Sequence, residues 1–267
     1  MNAPKRHFLV IAAASRGARF FVKKALEQGH NVTALCRAEN DKNALIRMNE
    51  ILESTQTTPS RNRSAEVSGK LTAHSLNILS SETYRQLLND DRTIDAIACF
   101  VGVTKVKDMM SRKTRLYTNT MKALVDGMNQ SRLVEVFYHS SVGSEGVPGA
   151  SETRWPANYP IYSPLIHRIF PVFRDVTRSE NVLASIKKDG GQYIIFRPAG
   201  LTDDTAKRHY GYSFDTTGLY KEDFPLSTAK TTICREDVAE EILRVATLDQ
   251  SERTHWHGHG VYLADLK

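Results

Sequence analysis

Cysteine is scarce, with three residues in 267, at Cys36, Cys99 and Cys234. Their wide spacing suits neither a disulfide framework nor a zinc cluster, and they read as reduced, strand-borne core residues. Long apolar runs are also missing. None approaches the roughly 20 residues that span a bilayer. The opening Met-Asn-Ala-Pro-Lys-Arg-His runs straight into the first apolar strand, leaving no room for a signal peptide, and a cytoplasmic protein with no membrane attachment is expected. Charge of one sign is nowhere concentrated. The chain carries a formal +6, but its 36 basic residues are interspersed with 30 acidic ones. A nucleic-acid footprint gathers on one face, so nucleic acid is not an expected partner. The excess suits a site that receives an anionic cofactor. Internal repeats, low-complexity tracts and a dividing linker are absent too, and the length fits a single domain.

What is present is an alternation. Apolar, β-rich runs at 8–11, 31–36, 71–76, 95–101, 133–139, 193–197 and 260–263 are separated by helical patterns at 18–28, 40–53, 81–89, 114–130, 163–188 and 235–248. Pro164 and Pro171 break the first half of the 163–188 pattern, and Gly29 follows the first helix as a C-cap signal. Strands alternating with helices at this spacing predict an α/β fold, a doubly wound, Rossmann-like parallel sheet. Residues 54–70 are polar and aperiodic and read as a flexible insertion. Residues 202–228 are turn-rich and aromatic and read as the substrate-side region of the C-terminal part.

In such a sheet the first strand-to-helix turn receives a dinucleotide's pyrophosphate on a helix N-terminus, with glycines for the tight turn and close approach. Here the turn is Ala12-Ala-Ala-Ser-Arg-Gly-Ala18. In a G-x-x-G-x-x-G register the key positions are Ala12, Ser15 and Ala18. In a G-x-x-x-G-x-G register they are Ala13, Gly17 and Arg19. At most one glycine remains in either. Alanine and serine are the smallest replacements, and Ser15 can cap the helix. Any position needing positive φ would suffer, at about 1 kcal/mol or more for alanine. The second strand ends at Arg37, where a carboxylate would suit a ribose 2′-hydroxyl and an arginine suits a 2′-phosphate. With Arg16 in the turn itself, the pair points to NADP rather than NAD.

The run LVIAAASRGARFFVKKALEQGHNVTALCR resembles the start of atypical short-chain dehydrogenase/reductases of the NmrA-like, NAD(P)-binding group. Further matches follow in order: Leu76-Asn-Ile-Leu-Ser-Ser-Glu82, Phe137-Tyr-His-Ser-Ser-Val142, Asp175-Val-Thr-Arg-Ser-Glu-Asn-Val-Leu183, Phe196-Arg-Pro-Ala-Gly-Leu-Thr202 and Cys234-Arg-Glu-Asp-Val-Ala-Glu-Glu241. Within the group the chain is most similar to the flavin/biliverdin-IXβ reductase type. The resemblance implies that the turn from Ala12 and Ala14 through Ser15, Arg16, Gly17 and Ala18 holds phosphates, and that Arg37 reads the 2′-phosphate. It places Val101 and Gly102 against the ribose and cofactor backbone, and Asn77 near the adenine. It also places Ser140 and Ser141 beside the nicotinamide, with Pro198, Ala199 and Gly200 as a wall behind it.

One departure bears on chemistry. The main dehydrogenase branch uses Tyr-x-x-x-Lys, but Tyr159 is followed at that spacing by Ser163 and Tyr162 by Ile166. Alcohol–ketone chemistry with a tyrosine acid is therefore not expected, although a hydride can still pass to a conjugated acceptor that takes its proton from solvent. The catalytic candidates are Ser141, Tyr162, Asp175 and His139, with His167 nearby. Blander roles exist: His139 as a core or rim histidine, and Asp175 as a helix-face partner of Arg178. His255-Trp-His-Gly-His259 would align three imidazoles on a strand, yet no cysteine or carboxylate accompanies them. An exposed edge strand or tail without metal is the expectation. The leading function is an NADPH-dependent reductase of a small conjugated or aromatic substrate. A redox-neutral isomerase, cyclase or dehydratase and a non-catalytic NADP(H)-sensing regulator are the alternatives, and a homodimer is compatible with each.

Overall fold

Phe8, Leu9, Val10 and Ile11 are wholly inaccessible to solvent. A strand buried on both faces lies in the middle of a sheet covered on both sides. In the computed structural model, which describes residues 5–55, 69–103, 109–111, 115–141, 171–214 and 232–266, this strand is β1 (His7–Ile11). It pairs in parallel with β2 (Asn31–Leu35) on one side and β4 (Ala96–Cys99) on the other, with Ile11 opposite both Leu35 and Cys99. The sheet continues outward through β3 (Leu71–His74) at one edge and β5 (Glu135–His139), β6 (Tyr193–Pro198), β10 (Gly260–Asp265) and β8 (Tyr210–Phe214) towards the other. The order is β3-β2-β1-β4-β5-β6-β10-β8, parallel except for the β10–β8 pair. Outside it, β7 (Gly200–Thr202) pairs with β9 (Thr232–Cys234).

Alternate strand residues face opposite layers. Phe8, Val10 and Phe137 pack under α1 (Ala18–Glu27), α2 (Asp41–Ser54) and α6 (Arg235–Ala246). Leu9, Ile11 and Tyr138 pack under α3 (Ser81–Asp90), α4 (Leu116–Asn129) and α5 (Val172–Ala184). A one-turn α7 (Gln250–Arg253) precedes the last strand. This is a Rossmann-like, doubly wound α/β fold. The first helix stops as its sequence predicts: Gly29 takes φ +83°, and the His30 N–H closes on the Ala25 carbonyl at 2.9 Å.

Differences from the sequence reading lie mostly at the periphery. Part of the turn-rich 202–228 region forms strand β8, and its remainder from 215 lies outside the described residues. The aperiodic 54–70 stretch contributes its first residue to α2, while 56–68 likewise lie outside. The histidine run is neither an edge strand nor a tail. It makes a 3-10 turn over Thr254–Trp256, passes Gly258 at φ +80°, and feeds β10, which is internal to the sheet. His257 contacts Glu135 at 2.6 Å and the His259 ring lies 5.5 Å from that of Phe214, so the imidazoles diverge. Among the described residues no group of three potential ligands could hold a metal ion. All three cysteines are buried and free. No described helix is long and apolar enough to cross a membrane.

Candidate functional site

Parallel strands direct their C-terminal ends, and the loops that follow, to one edge of the sheet. After β1 the chain turns sharply at Ala12, whose φ is +58°, a left-handed conformation that L-residues other than glycine rarely adopt. The Ser15 N–H closes on the Ala12 carbonyl at 2.9 Å, and the Ser15 hydroxyl accepts the Ala18 N–H at 3.3 Å. Ser15 thus caps the start of α1, and the first of the two glycine registers describes the turn. Gly17 is right-handed, with φ −81° and ψ −45°. A Cβ added there would meet only the Phe100 ring, at 3.6 Å, so its hydrogen side chain is not required by the fold. The N–H groups of Ala14, Arg16 and Gly17 have no hydrogen-bond acceptor among the described residues. Uncommitted donors at a helix N-terminus beside an exposed arginine suit a phosphate, so these residues fit a dinucleotide.

The turn forms one end of a cleft of about 470 Å³ that runs along the C-terminal edge of the sheet. Ser15, Arg16 and Gly17 line it at that end, Val101 and Gly102 follow, and Ser140, Ser141, Pro198, Ala199 and Gly200 line it beyond. His139 closes β5 with its ring 5.5 Å from Phe100. Burial pushes its imidazole down to about 4, and the nearby Arg235 guanidinium pushes in the same direction, so the ring is neutral at physiological pH. Ser140 is buried, and its hydroxyl donates to Glu180, which also receives the wholly buried Arg197 at 2.8 Å. Its side chain is thereby tied into the floor of the cleft. On α5 the side chains that reach the cleft are Val172, Phe173 and Val176. Val172 and Val176, one helical turn apart, give this wall an apolar surface.

A family model described as NAD(P)H-binding matches residues 13–249. The chain belongs to this NAD(P)H-binding family. The atypical short-chain dehydrogenase/reductase resemblance points to the same grouping. No curated protein sequence matches the chain. Among solved structures it is similar to a short-chain dehydrogenase/reductase from Veillonella parvula in complex with NADP, at 14% identity over 98% of this chain and 95% of that one, with a TM-score of 0.61. It is similar to a putative NADH-flavin reductase from Streptococcus pneumoniae, at 15% identity over 97% and 99% of the two chains and a TM-score of 0.57. A putative NAD-dependent epimerase/dehydratase from Bacillus halodurans gives 18% identity, 97% and 94% coverage and 0.57. At these identities the likeness speaks for the fold.

In this NAD(P)H-binding protein the other expected residues are more dispersed. Arg37 is exposed beyond β2, and its guanidinium forms no ion pair among the described residues. Asn77 is exposed and accepts the Leu79 N–H at 3.0 Å, closing the turn before α3; it does not line the cleft. Asp175 is wholly buried and does not line the cleft either. Its carboxylate accepts the N–H groups of Tyr117 at 3.0 Å and Thr118 at 3.3 Å and the Thr118 hydroxyl, which satisfies the N-terminus of α4 from a neighbouring helix rather than pairing Arg178. Tyr162 and His167 lie outside the described residues. Two polar residues that line the cleft escaped the sequence reading. Tyr117, whose hydroxyl accepts the Val103 N–H at 3.2 Å, was one of several residues in an ordinary helical pattern. Arg235 opens α6, where the helix dipole favours an acid, and that misfit is the signal that could have singled it out.

Proposed function

We propose that the protein is an NADPH-dependent reductase of a small conjugated or aromatic acceptor. The observation that carries this reading is one continuous cleft, with a phosphate-competent turn at one end and Ser140, Ser141 and the Pro198–Gly200 wall at the other. In it, the uncommitted N–H groups of Ala14, Arg16 and Gly17 and the Arg16 guanidinium hold the pyrophosphate. Val101 and Gly102 flank the ribose, and Arg37 binds the 2′-phosphate as a partner that an acid at this position could not be. When bound, the cofactor supplies a hydride. Phe100, Val172, Phe173 and Val176 present an apolar wall that excludes water and takes a flat acceptor. Ser141 orients the acceptor, and His139, neutral, serves as a packed wall and hydrogen-bonding group rather than an acid. With Ser163 and Ile166 where a Tyr-x-x-x-Lys pair would put its lysine, the acceptor's proton comes from solvent, which restricts the chemistry to acceptors that need no strong general acid. Asp175 acts through α4 as a positioning residue.

The missing Tyr-x-x-x-Lys pair favours a second reading, a protein that binds NADP(H) and signals through a partner without turnover. Fluorescence titration with NADPH, followed by oxidation assays with flavins, quinones and enones, separates the two. Binding with turnover supports the reductase, and binding without turnover on the whole panel supports the sensor. Gly17→Val should abolish NADPH binding with the fold intact, because the side chain occupies the space of an approaching phosphate. Arg37→Asp should weaken NADPH by more than about tenfold while leaving NADH within about twofold. Unchanged NADPH affinity in both variants, or no binding by the unmodified protein at hundreds of micromolar, rules the reductase out.

A further inference from the structure

Asp203 follows β7 and stands at the mouth of the cleft. One carboxylate oxygen accepts from Arg16 Nη1 at 3.1 Å and the other from Arg235 Nη1 at 2.7 Å. Three distant pieces of chain meet there: the turn after β1, the segment after β7 and the first residue of α6. Among the described residues Asp203 has no other polar partner, and the two guanidinium groups have no other carboxylate. The group carries a net charge of +1. Arg235 is the enclosed member, its side chain 15% exposed, whereas those of Arg16 and Asp203 are 55% and 48% exposed. Arg16 and Arg235 both line the cleft, so their cationic ends are held at the place where a bound anion would lie.

We propose that Arg16 and Arg235 form a two-arginine anion clamp, that Asp203 is its internal occupant, and that a phosphate group of the ligand binds by taking the place of the Asp203 carboxylate. The proposal rests on the dinucleotide reading only in taking that phosphate from the cofactor; a phosphorylated substrate would use the same clamp. A phosphate offers more acceptor oxygens and as much or more negative charge than a carboxylate, and both match the planar fork of a guanidinium. A ligand phosphate therefore wins the exchange. A lone small anion of one charge gains little over the aspartate already present, so Asp203 keeps the arginines oriented and discriminates against weak anions. Because the Arg16–Asp203 pair is half exposed, the competition is modest, worth about two- to tenfold in ligand affinity.

Calorimetry with two probes, sodium pyrophosphate and NADPH, tests this at constant ionic strength on the full chain. The proteins are wild type, Asp203→Asn, Arg235→Gln and the double variant, each checked for fold by circular dichroism. Asp203→Asn, which keeps the shape and removes the competing charge, should tighten both probes by about two- to tenfold. Arg235→Gln should weaken both by at least about fivefold, and the double variant should lose the gain. If NADPH does not bind the wild type while pyrophosphate responds as described, the cofactor reading fails and the clamp stands, with its phosphate coming from a substrate. If NADPH binds all four proteins with equal affinity, or pyrophosphate is indifferent to both substitutions, the clamp is overturned and the dinucleotide site remains.

Discussion

Ala12 holds φ +58° although its side chain disfavours that region. The sequence indicated that a glycine-poor turn would strain any residue needing positive φ, but it offered two registers and no means of choosing. The choice depends on which peptide turns first after β1, and that is fixed by the Ser15 N–H closing on the Ala12 carbonyl. Gly17, the glycine that remains, sits at an ordinary helical φ of −81°. Its value is thus space in front of the turn, while the conformational strain falls on an alanine. Ala12→Gly should relieve the left-handed strain and lose part of the gain to the greater freedom of glycine in the unfolded chain. A net stabilisation of about 0.5–1 kcal/mol is expected. Urea denaturation reads this directly. An equal or lower midpoint, with unchanged slope, would mean that the turn bears no strain at Ala12.

Helix α4 begins at Leu116 without a side-chain cap of its own, since Arg115 supplies none. Asp175, from α5, takes that role across the helix–helix contact. The sequence could mark Asp175 as an acid on a helical pattern, but not as a cap for a helix about 57 residues earlier in the chain, because capping in trans leaves no local spacing to read. Asp175→Ala would leave the buried Thr118 N–H and the half-buried Tyr117 N–H without an acceptor and should cost about 2–4 kcal/mol, with Asp175→Asn losing less. The same change should loosen Tyr117, which closes over Val103 at the cleft, so ligand affinity should fall along with stability. A loss under about 0.5 kcal/mol in chemical denaturation would show that the N-terminus of α4 is satisfied in another way. Strand β8 was missed for a related reason. Tyr210, Tyr212 and Phe214 alternate as a strand should, yet the run sits among turn residues and pairs antiparallel in an otherwise parallel sheet.

The architecture as a whole was legible because seven strands and their intervening helices carry period and composition together, whereas the cleft joins side chains from separate loops and helices that share no period. What the whole fold also does is bury histidines in neutral form. Burial lowers His139 to about 4, and it lowers His7 and His30 in the same direction. An unfolded histidine titrates near 6.5, so between pH 6.5 and about 4 the unfolded chain binds a proton that the folded His139 does not. The stability held above pH 6.5 should therefore drain away as the pH falls through that window and level off near 4. Asp237, which burial holds above the usual carboxylate range, works the other way and limits the net loss. His139 alone should account for about 2 kcal/mol between pH 7 and pH 5. His139→Gln should flatten the stability–pH curve by that amount, measured by urea denaturation at each pH. Parallel curves for the two proteins would mean that the folded ring takes up its proton as readily as the unfolded one, which would restore His139 as a candidate acid in the cleft.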